Sequence, residues 1–290
     1  MSYTTSDLLA GILRKSFAPT GQTTFETDDV LLMADEILCD DLVPDIMSVR
    51  EEFFVFSKDL TITANQGEYD IPARAVGMIV REIKIKKGTT LSDLPRIEPE
   101  DVDTTETGSP REFYLKDNKI VLHPTPDRTE NTLVVSFYLR PGKHVETSAA
   151  GLITAIDTST NVVTVSSIPA TWATGNVFDL IKQDGGQQPR AIDLTSTLVS
   201  GSTITLPSLP TGLAVGDYVA LAGETPLPYV LPEFRSVLEQ GAAAQILSNM
   251  NQPGGEKAEA KYKAMRESRI KLLTPRVHGE DRVIMARNWR

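Results

Sequence analysis

The residues of this chain that could do chemistry are few and scattered. Three histidines are present, His123, His144 and His278, and none stands at an i, i+4 helical spacing from another ligand-type residue. A zinc site draws three or four ligands from closely spaced positions, and no such local signature is written here. Asp40, Asp41 and Asp45 could together hold a cation, but the glycine turn of a calcium loop is missing. A solvated helix face accounts for them better. Cys39 is the single cysteine, which excludes an internal disulfide and a cysteine-based zinc site. Its neighbours suggest a helix interior, where it acts as a small apolar residue rather than a reactive thiol. Asp184-Gly185-Gly186 reads as a turn. No phosphate-cradling glycine loop, nucleophile elbow or dinucleotide fingerprint appears. The expectation is therefore a protein that is not an enzyme and needs no cofactor or metal.

These residues are carried by 290 amino acids, 40% of them hydrophobic, enough for one large domain or two moderate ones. No apolar run approaches the ~20 residues that cross a bilayer. Met1 to Thr5 shows no basic segment leading into an apolar one, so neither a secretory signal nor a membrane partner is expected. The net charge of -10 and a pI near 4.9 argue against a surface that grips nucleic acid broadly. The charge is uneven. Between Phe25 and Met47 stand eight acids and no Lys or Arg, whereas from Glu256 to Arg290 ten basic residues accompany five acidic ones. Either these are two solvated helix faces, or oppositely charged ends meet, within one subunit or between neighbours. Asp35, Asp40, Asp41, Lys261, Arg266 and Arg269 are the candidates for an inter-subunit contact between helix faces.

Helical periodicity marks both ends of the chain. Ser6-Asp7 can cap a helix over Leu8–Lys15, broken by Pro19 and Gly21. Thr27 can cap a second, with Asp28 and Asp29 at its positive dipole end and Val30, Leu31, Ala34, Ile37, Leu38 and Leu42 along one face. Pro44 marks its end or a kink. The period returns after Leu231, with a stripe through Phe234, Val237, Leu238, Ala242, Ile246 and Met250. The small residues Gly241 to Ala244 would let another helix approach closely. Pro253-Gly254-Gly255 breaks the stripe, and Glu256–Leu273 forms an antiparallel partner that Pro275 stops. Two helical ends with apolar faces are expected to pack together as a bundle. Between them lie strand signals at Glu52–Phe56, Val76–Lys86 and Leu133–Leu139. Hairpins are expected at Asn65-Gln66-Gly67 and, more strongly, at Asp117-Asn118 between Phe113–Leu115 and Ile120–Leu122. A single helical turn is expected near Pro99–Val102.

Residues 161–180 align without gaps on 202–221 at an offset of 41, with identities at Thr164/Thr205, Ser167/Ser208, Pro169/Pro210, Ala173/Ala214, Gly175/Gly216 and Leu180/Leu221. Each unit reads as strand, proline corner, glycine turn, strand. This is either a duplicated β unit, forming a small barrel-like insertion, or two hairpins that share turn chemistry. The fold class is accordingly α+β. Residues 1–58 and 227–275 form a helical core, 59–142 its β region, 143–226 an inserted β domain with the internal repeat, and 276–290 a C-terminal tail. In that tail Arg276, Arg282, Arg287 and Arg290 interleave with Val277, Val283, Ile284 and Trp289. A disordered end is the plain alternative; the apolar anchors, and the enrichment of Trp and Arg at interface hot spots, favour a docking segment.

Four pieces stand out in their order: FETDDVLLMADEILCDDLVPDI, YDIPARAVGMIVREI, REFYLKDNKIVLHPTPD followed by LVVSFYLRPG, and LPEFRSVLEQGAAAQIL with its charged partner ending near LLTPRV. In this order the chain resembles the head–tail adaptor proteins of tailed bacteriophages, the tail-accessory-factor type of connector that forms a ring under the portal. The segment 143–226 falls outside the resemblance. The resemblance implies a non-enzymatic structural protein of the virion neck, assembled in the host cytoplasm. It implies a homo-oligomeric ring, commonly dodecameric, that joins the portal protein to the next tail or neck component. Genome DNA would pass through without specific binding, which an acidic lining would favour by repelling phosphates. Helices at 27–47, 231–251 and 256–273 would build the ring wall, and the tail would hook onto the portal or a neighbour. The alternative is a binding module whose β domain displays a glycan- or host-surface-recognition site. Trp172 would be its stacking residue, although its repeat counterpart Leu213 favours a place in the β core.

Overall fold

A computed structural model describes residues 2–17, 25–99, 105–129, 131–184 and 188–273 of the chain. The fold is mixed α+β. Helix α1 (Thr5–Lys15) starts at Thr4, whose hydroxyl accepts the Asp7 N–H while the Asp7 carboxylate accepts the Thr4 N–H. This reciprocal cap starts the helix three residues before Leu8 and makes Asp7 the third residue of the box, not the cap. Helix α2 (Thr27–Glu36) is likewise capped one residue early, at Glu26, whose N–H donates to Asp29 at 3.1 Å. Ile37–Leu42 then widens into a π-turn that leads to α3 (Val43–Val49). Val43 N–H reaches back five residues to Leu38 O. Pro44 has no N–H to give to the carbonyl four residues behind it, which is the physical reason the helix opens there. Near the other end of the chain, α4 (Arg235–Asn249) and α5 (Gly255–Leu273) form a helical hairpin.

One buried cluster joins the two ends of the chain. It runs from Leu8, Ile12, Leu31 and Leu38 through Phe54 to Tyr229, Phe234 and Leu238. A Cβ on Gly241 would lie 2.8 Å from Ile37 Cγ2 and 2.9 Å from Tyr262 Cε2, so α4 meets the π-turn and α5 at a point that tolerates only hydrogen. Gly241→Val is expected to overpack this crossing and lower unfolding free energy by about 1–3 kcal/mol. A urea titration would measure it, and an unchanged midpoint would contradict so close an approach.

The β region holds β1 (Val55–Thr61), β2 (Glu68–Asp70), β3 (Ala75–Lys87), β4 (Thr90–Asp93), β5 (Thr107–Gly108), β6 (Glu112–Lys116), β7 (Lys119–His123), β8 (Thr125–Pro126) and β9 (Thr132–Leu139). A four-stranded antiparallel sheet in the order β1-β9-β3-β4 packs near a three-stranded sheet in the order β2-β7-β6. Ile62, Ile83, Leu122, Val135 and Phe137 share the core of this region. Two expectations are corrected here. Glu51–Phe54 is a 3-10 turn and the strand begins only at Val55, because Phe54 is needed in the helical core. The Asn65 turn does not close a hairpin: β1 pairs with β9 and β2 with β7, so the two flanks of the turn join different sheets. The Asp117-Asn118 hairpin forms, with both residues in the left-handed region at φ 48° and 60°. The turns expected at Pro99–Val102 and Asp184–Gly186 fall largely outside the described residues, as does the Pro19–Gly21 break.

Beyond β10 (Lys143–His144) come β11 (Gly151–Asp157), β12 (Val162–Val165), β13 (Val177–Ile181), β14 (Ala191–Thr195), β15 (Leu198–Ser200), β16 (Thr203–Thr205), β17 (Tyr218–Leu221) and β18 (Glu224–Thr225). Seven of these make one sheet in the order β14-β13-β17-β11-β12-β16-β15. Its end strands β14 and β15 are separated in sequence only by Ser196 and Thr197, so the sheet curls back on itself as a half-barrel. The pairings obey the sequence repeat. Antiparallel β12 and β16 place Val163 opposite Ile204, and β13 and β17 place Asp179 opposite Ala220. Both are residue pairs at the 41-residue offset, so one local two-fold relates the units. The outer pairings follow it as well. The first half of β11 pairs with β17 and the second with β12, while β14 pairs with β13 and β15 with β16. The duplication therefore extends back through β11 and β14–β15.

The half-barrel is held at two places. Its incoming and outgoing strands, β10 and β18, pair in parallel, Lys143 opposite Glu224 and His144 opposite Thr225. Thr5 of α1 holds both neighbouring segments, its hydroxyl donating to Val145 O at 2.7 Å and its N–H to Pro226 O at 2.9 Å. Against the four-stranded sheet, Arg74 pairs with Asp179, Lys58 pairs with Asp193 at 2.7 Å, Gln188 donates to Val55 O, and Ile192 enters the core of the β region.

Candidate functional site

The candidate site is a pair of surfaces on the helices. Among the described residues, no group of three or more His, Cys, Asp or Glu is placed to hold a metal ion. No helix among them is long and apolar enough to cross a membrane. Cys39 is half-buried, and burial, with Asp35 and Asp40 adding their charge, pushes its thiol up to about 11. Such a thiol is a poor nucleophile at neutral pH. Trp172 lies in the half-barrel core, 4.9 Å from Phe178 in an edge-on contact, and is 6% exposed. It presents no open face for a sugar to stack on.

The charged helix residues divide into two groups. Three of the six inter-subunit candidates are engaged within the chain. Arg266 of α5 pairs with Asp45 and with Asp41, the latter at 2.7 Å, while Tyr262 Oη donates to Asp41 at 2.7 Å. The two carboxylates, foremost Asp45, raise the Arg266 guanidinium above its ordinary value, and burial raises the Tyr262 phenol. Asp35 turns toward β10, where its carboxylate accepts the His144 N–H at 3.0 Å and lies 2.6 Å from His144 Nδ1. Asp35, Asp41 and Arg266 are thus tied within the chain, each to an opposite or hydrogen-bonding partner packed on the same core, which is the within-subunit meeting of charges that the sequence left open. Arg269 is half-buried, and Asp40 and Lys261 remain exposed. The proposed docking residues Arg276, Val277, Arg282, Val283, Ile284, Arg287, Trp289 and Arg290 lie outside the described residues.

What remains exposed forms two distinct patches. Asp28, Leu32, Glu36 and Asp40 follow one another at four-residue steps along α2 and the π-turn, with Asp29 beside them, and all five are exposed. Gln245 donates to Glu36 of this acidic ridge at 2.6 Å, and the Glu26 N–H donates to Asp29 at 3.1 Å. Among the described residues no cation pairs with the ridge. Leu32, at its centre, is 49% exposed. The second patch is a groove of about 890 Å³ between the end of α1, the end of α4 and the start of α5. Leu13, Leu247 and Met250 give it an apolar lining, with Arg14, Lys15, Lys257 and Lys261 as its charged members. Lys15 is held by Glu239 at 2.6 Å, a carboxylate that also accepts Tyr3 Oη at 2.6 Å. Gly11 makes room for Glu239, since a Cβ there would stand 2.4 Å from its carboxyl carbon. Phe17 is 88% exposed at the groove's edge. Sequence reading located the acidic run but missed the groove, whose walls come from residues far apart in the chain. No family model matches this chain, and no curated protein matches it at a significant level.

Proposed function

We propose that this chain is a head–tail adaptor of a tailed bacteriophage, a structural subunit that forms a ring in the virion neck between the portal and the next tail component. In this reading a helical bundle from both ends of the chain makes the ring wall, the β region and half-barrel project from it, and 276–290 attaches to the portal or to a neighbour. The observation that carries the reading is the incomplete cover of the helices. Leu32 and Leu272 on helices, and Phe17 and Met250 in the turns just past the ends of α1 and α4, are all at least 40% exposed. Of the 19 residues of α5, only Gly255 and Tyr262 are buried. Where such side chains adjoin one another, as Phe17 and Met250 do along one groove, they form the kind of apolar surface that interfaces use. The order of the sequence segments supplies the family, and the net charge of -10 suits a channel through which DNA slides without being gripped.

Native mass spectrometry and electron microscopy of the chain with its portal test the proposal. A closed ring of identical copies on the portal is expected; monomers alone under those conditions would refute it. Removing 275–290 is expected to abolish portal attachment while leaving thermal unfolding unchanged, and undiminished attachment would rule out the docking tail.

A further inference from the structure

We propose that copies of this chain join head to tail, the acidic ridge of α2 on one copy seating in the cation-lined groove between α1, α4 and α5 of the next. This rests on the ring reading above and names the two faces that make the ring. The groove is chemically one-sided: its described lining contains Arg14, Lys15, Lys257 and Lys261 and no acid, in a chain whose net charge is -10. Lys15 is neutralised by Glu239, but among the described residues no ion pair reaches Arg14, Lys257 or Lys261. The ridge has the opposite character. Its charged members Asp28, Asp29, Glu36 and Asp40 are all acids without a cationic partner among the described residues.

The apolar parts match too. Leu32 stands exposed in the middle of the ridge, and the groove offers Leu13, Leu247 and Met250 as apolar lining with Phe17 at its edge. From Asp28 to Asp40 the ridge extends about 18 Å along its axis, a helix face with one apolar anchor and acids around it. This is the complement expected of an amphipathic helix laid into a groove. None of the ridge residues lines the groove, so one copy can give its ridge to one neighbour and receive the ridge of another. Contacts of that kind are heterologous and propagate into a closed ring when the rotation between copies allows it. The charge match adds steering and selects the register, and it weakens with salt.

The test uses the full chain and three variants. Arg14, Lys257, Lys261, Asp28, Glu36 and Asp40 are all exposed, so reversing them leaves the core untouched, as circular dichroism would verify. The groove variant is Arg14→Glu, Lys257→Glu, Lys261→Glu; the ridge variant is Asp28→Lys, Glu36→Lys, Asp40→Lys; the third carries all six. Association is followed by sedimentation velocity and native mass spectrometry, with and without the portal. Each three-residue variant alone places like charges at the contact and is expected to associate on the order of 100-fold more weakly than the parent. The six-residue variant restores opposite charges and is expected to assemble again. An equimolar mixture of the two three-residue variants is also expected to assemble, in strict alternation and only with even copy numbers. If each three-residue variant assembles like the parent chain, these faces are not the contact, although the ring reading stands. If both lose assembly and neither the mixture nor the six-residue variant regains it, the charge-matched contact is refuted. If the parent chain stays monomeric even with the portal, the ring reading falls and this inference with it.

Discussion

Arg74→Leu is expected to lower unfolding free energy by about 3–5 kcal/mol at neutral pH, because it strands a buried carboxylate. The Asp179 side chain is 3% exposed and pairs with Arg74 where the half-barrel meets the four-stranded sheet. It also accepts the Asp193 N–H at 2.9 Å and the Gly223 N–H at 3.1 Å. Burial pushes the Asp179 carboxyl above its ordinary value, while Arg74 and the two backbone donors pull it down, and burial prevails. An acid whose folded value is raised binds its proton more tightly in the native state. Its contribution is therefore fully present below the unfolded value, near ~3.9, and is lost as pH rises through the folded value. Removing Arg74 raises the folded value further and widens that window. The variant's deficit should be smallest in acid and grow toward neutrality, as urea unfolding at about pH 4 and about pH 7 would reveal. A deficit that is equal at both, or below about 1 kcal/mol at neutrality, would mean the carboxylate is solvated after all.

Phe54→Ala is expected to cost about 3–5 kcal/mol, and its coupling to Tyr229 tests whether the two ends of the chain are one folding unit. Phe54 is fully buried and meets Tyr229 edge-on at 5.5 Å. Phe53 stacks on the same ring at 5.1 Å, and Tyr229 Oη donates to Phe53 O at 2.7 Å. A double-mutant cycle of Phe54→Ala with Tyr229→Leu should return an interaction energy of about 0.5–1.5 kcal/mol beyond area burial. Zero coupling, or two separate unfolding transitions with the first lost in Phe54→Ala, would mean that residues before 58 and after 227 fold in different units.

The sequence was legible where local chemistry decides. The helices of both ends, the Asp117-Asn118 hairpin and the strands at 75–87 and 132–139 follow from periodicity and turn residues. The repeat was legible over 161–180 and 202–221, but its full extent was not. Over 150–160 and 191–201 only Ala150/Ala191, Thr154/Thr195 and Ser159/Ser200 remain identical, and strand pairing rather than identity reveals the relation. Partner choice was illegible for β1 and β2, because Asn65 dictates a turn but burial far along the chain dictates which strand lies beside each flank. Charge alone left open whether Asp35, Asp41 and Arg266 meet partners within the chain, as they do, or beyond it. Composition supplies the sign, yet whether a carboxylate faces water or His144 depends on the helix's rotation about its axis. The groove could not be read at all: Arg14 and Lys261 line it together although more than two hundred positions separate them in the chain.

The parallel pairing of β10 with β18 has an evolutionary corollary. Adjacent strands lie about 4.8 Å apart and rise ~3.3 Å per residue, so the last residue of one and the first of the other are within about 8 Å. Everything between them therefore leaves and re-enters the scaffold at neighbouring points. The scaffold leans on this appendage at three points: Lys58 and Arg74 take their anionic partners from it, and Ile192 fills part of the core of the β region. An appendage exchanged at Val145 would therefore have to bring its own anions for Lys58 and Arg74 and its own apolar plug for the core of the β region.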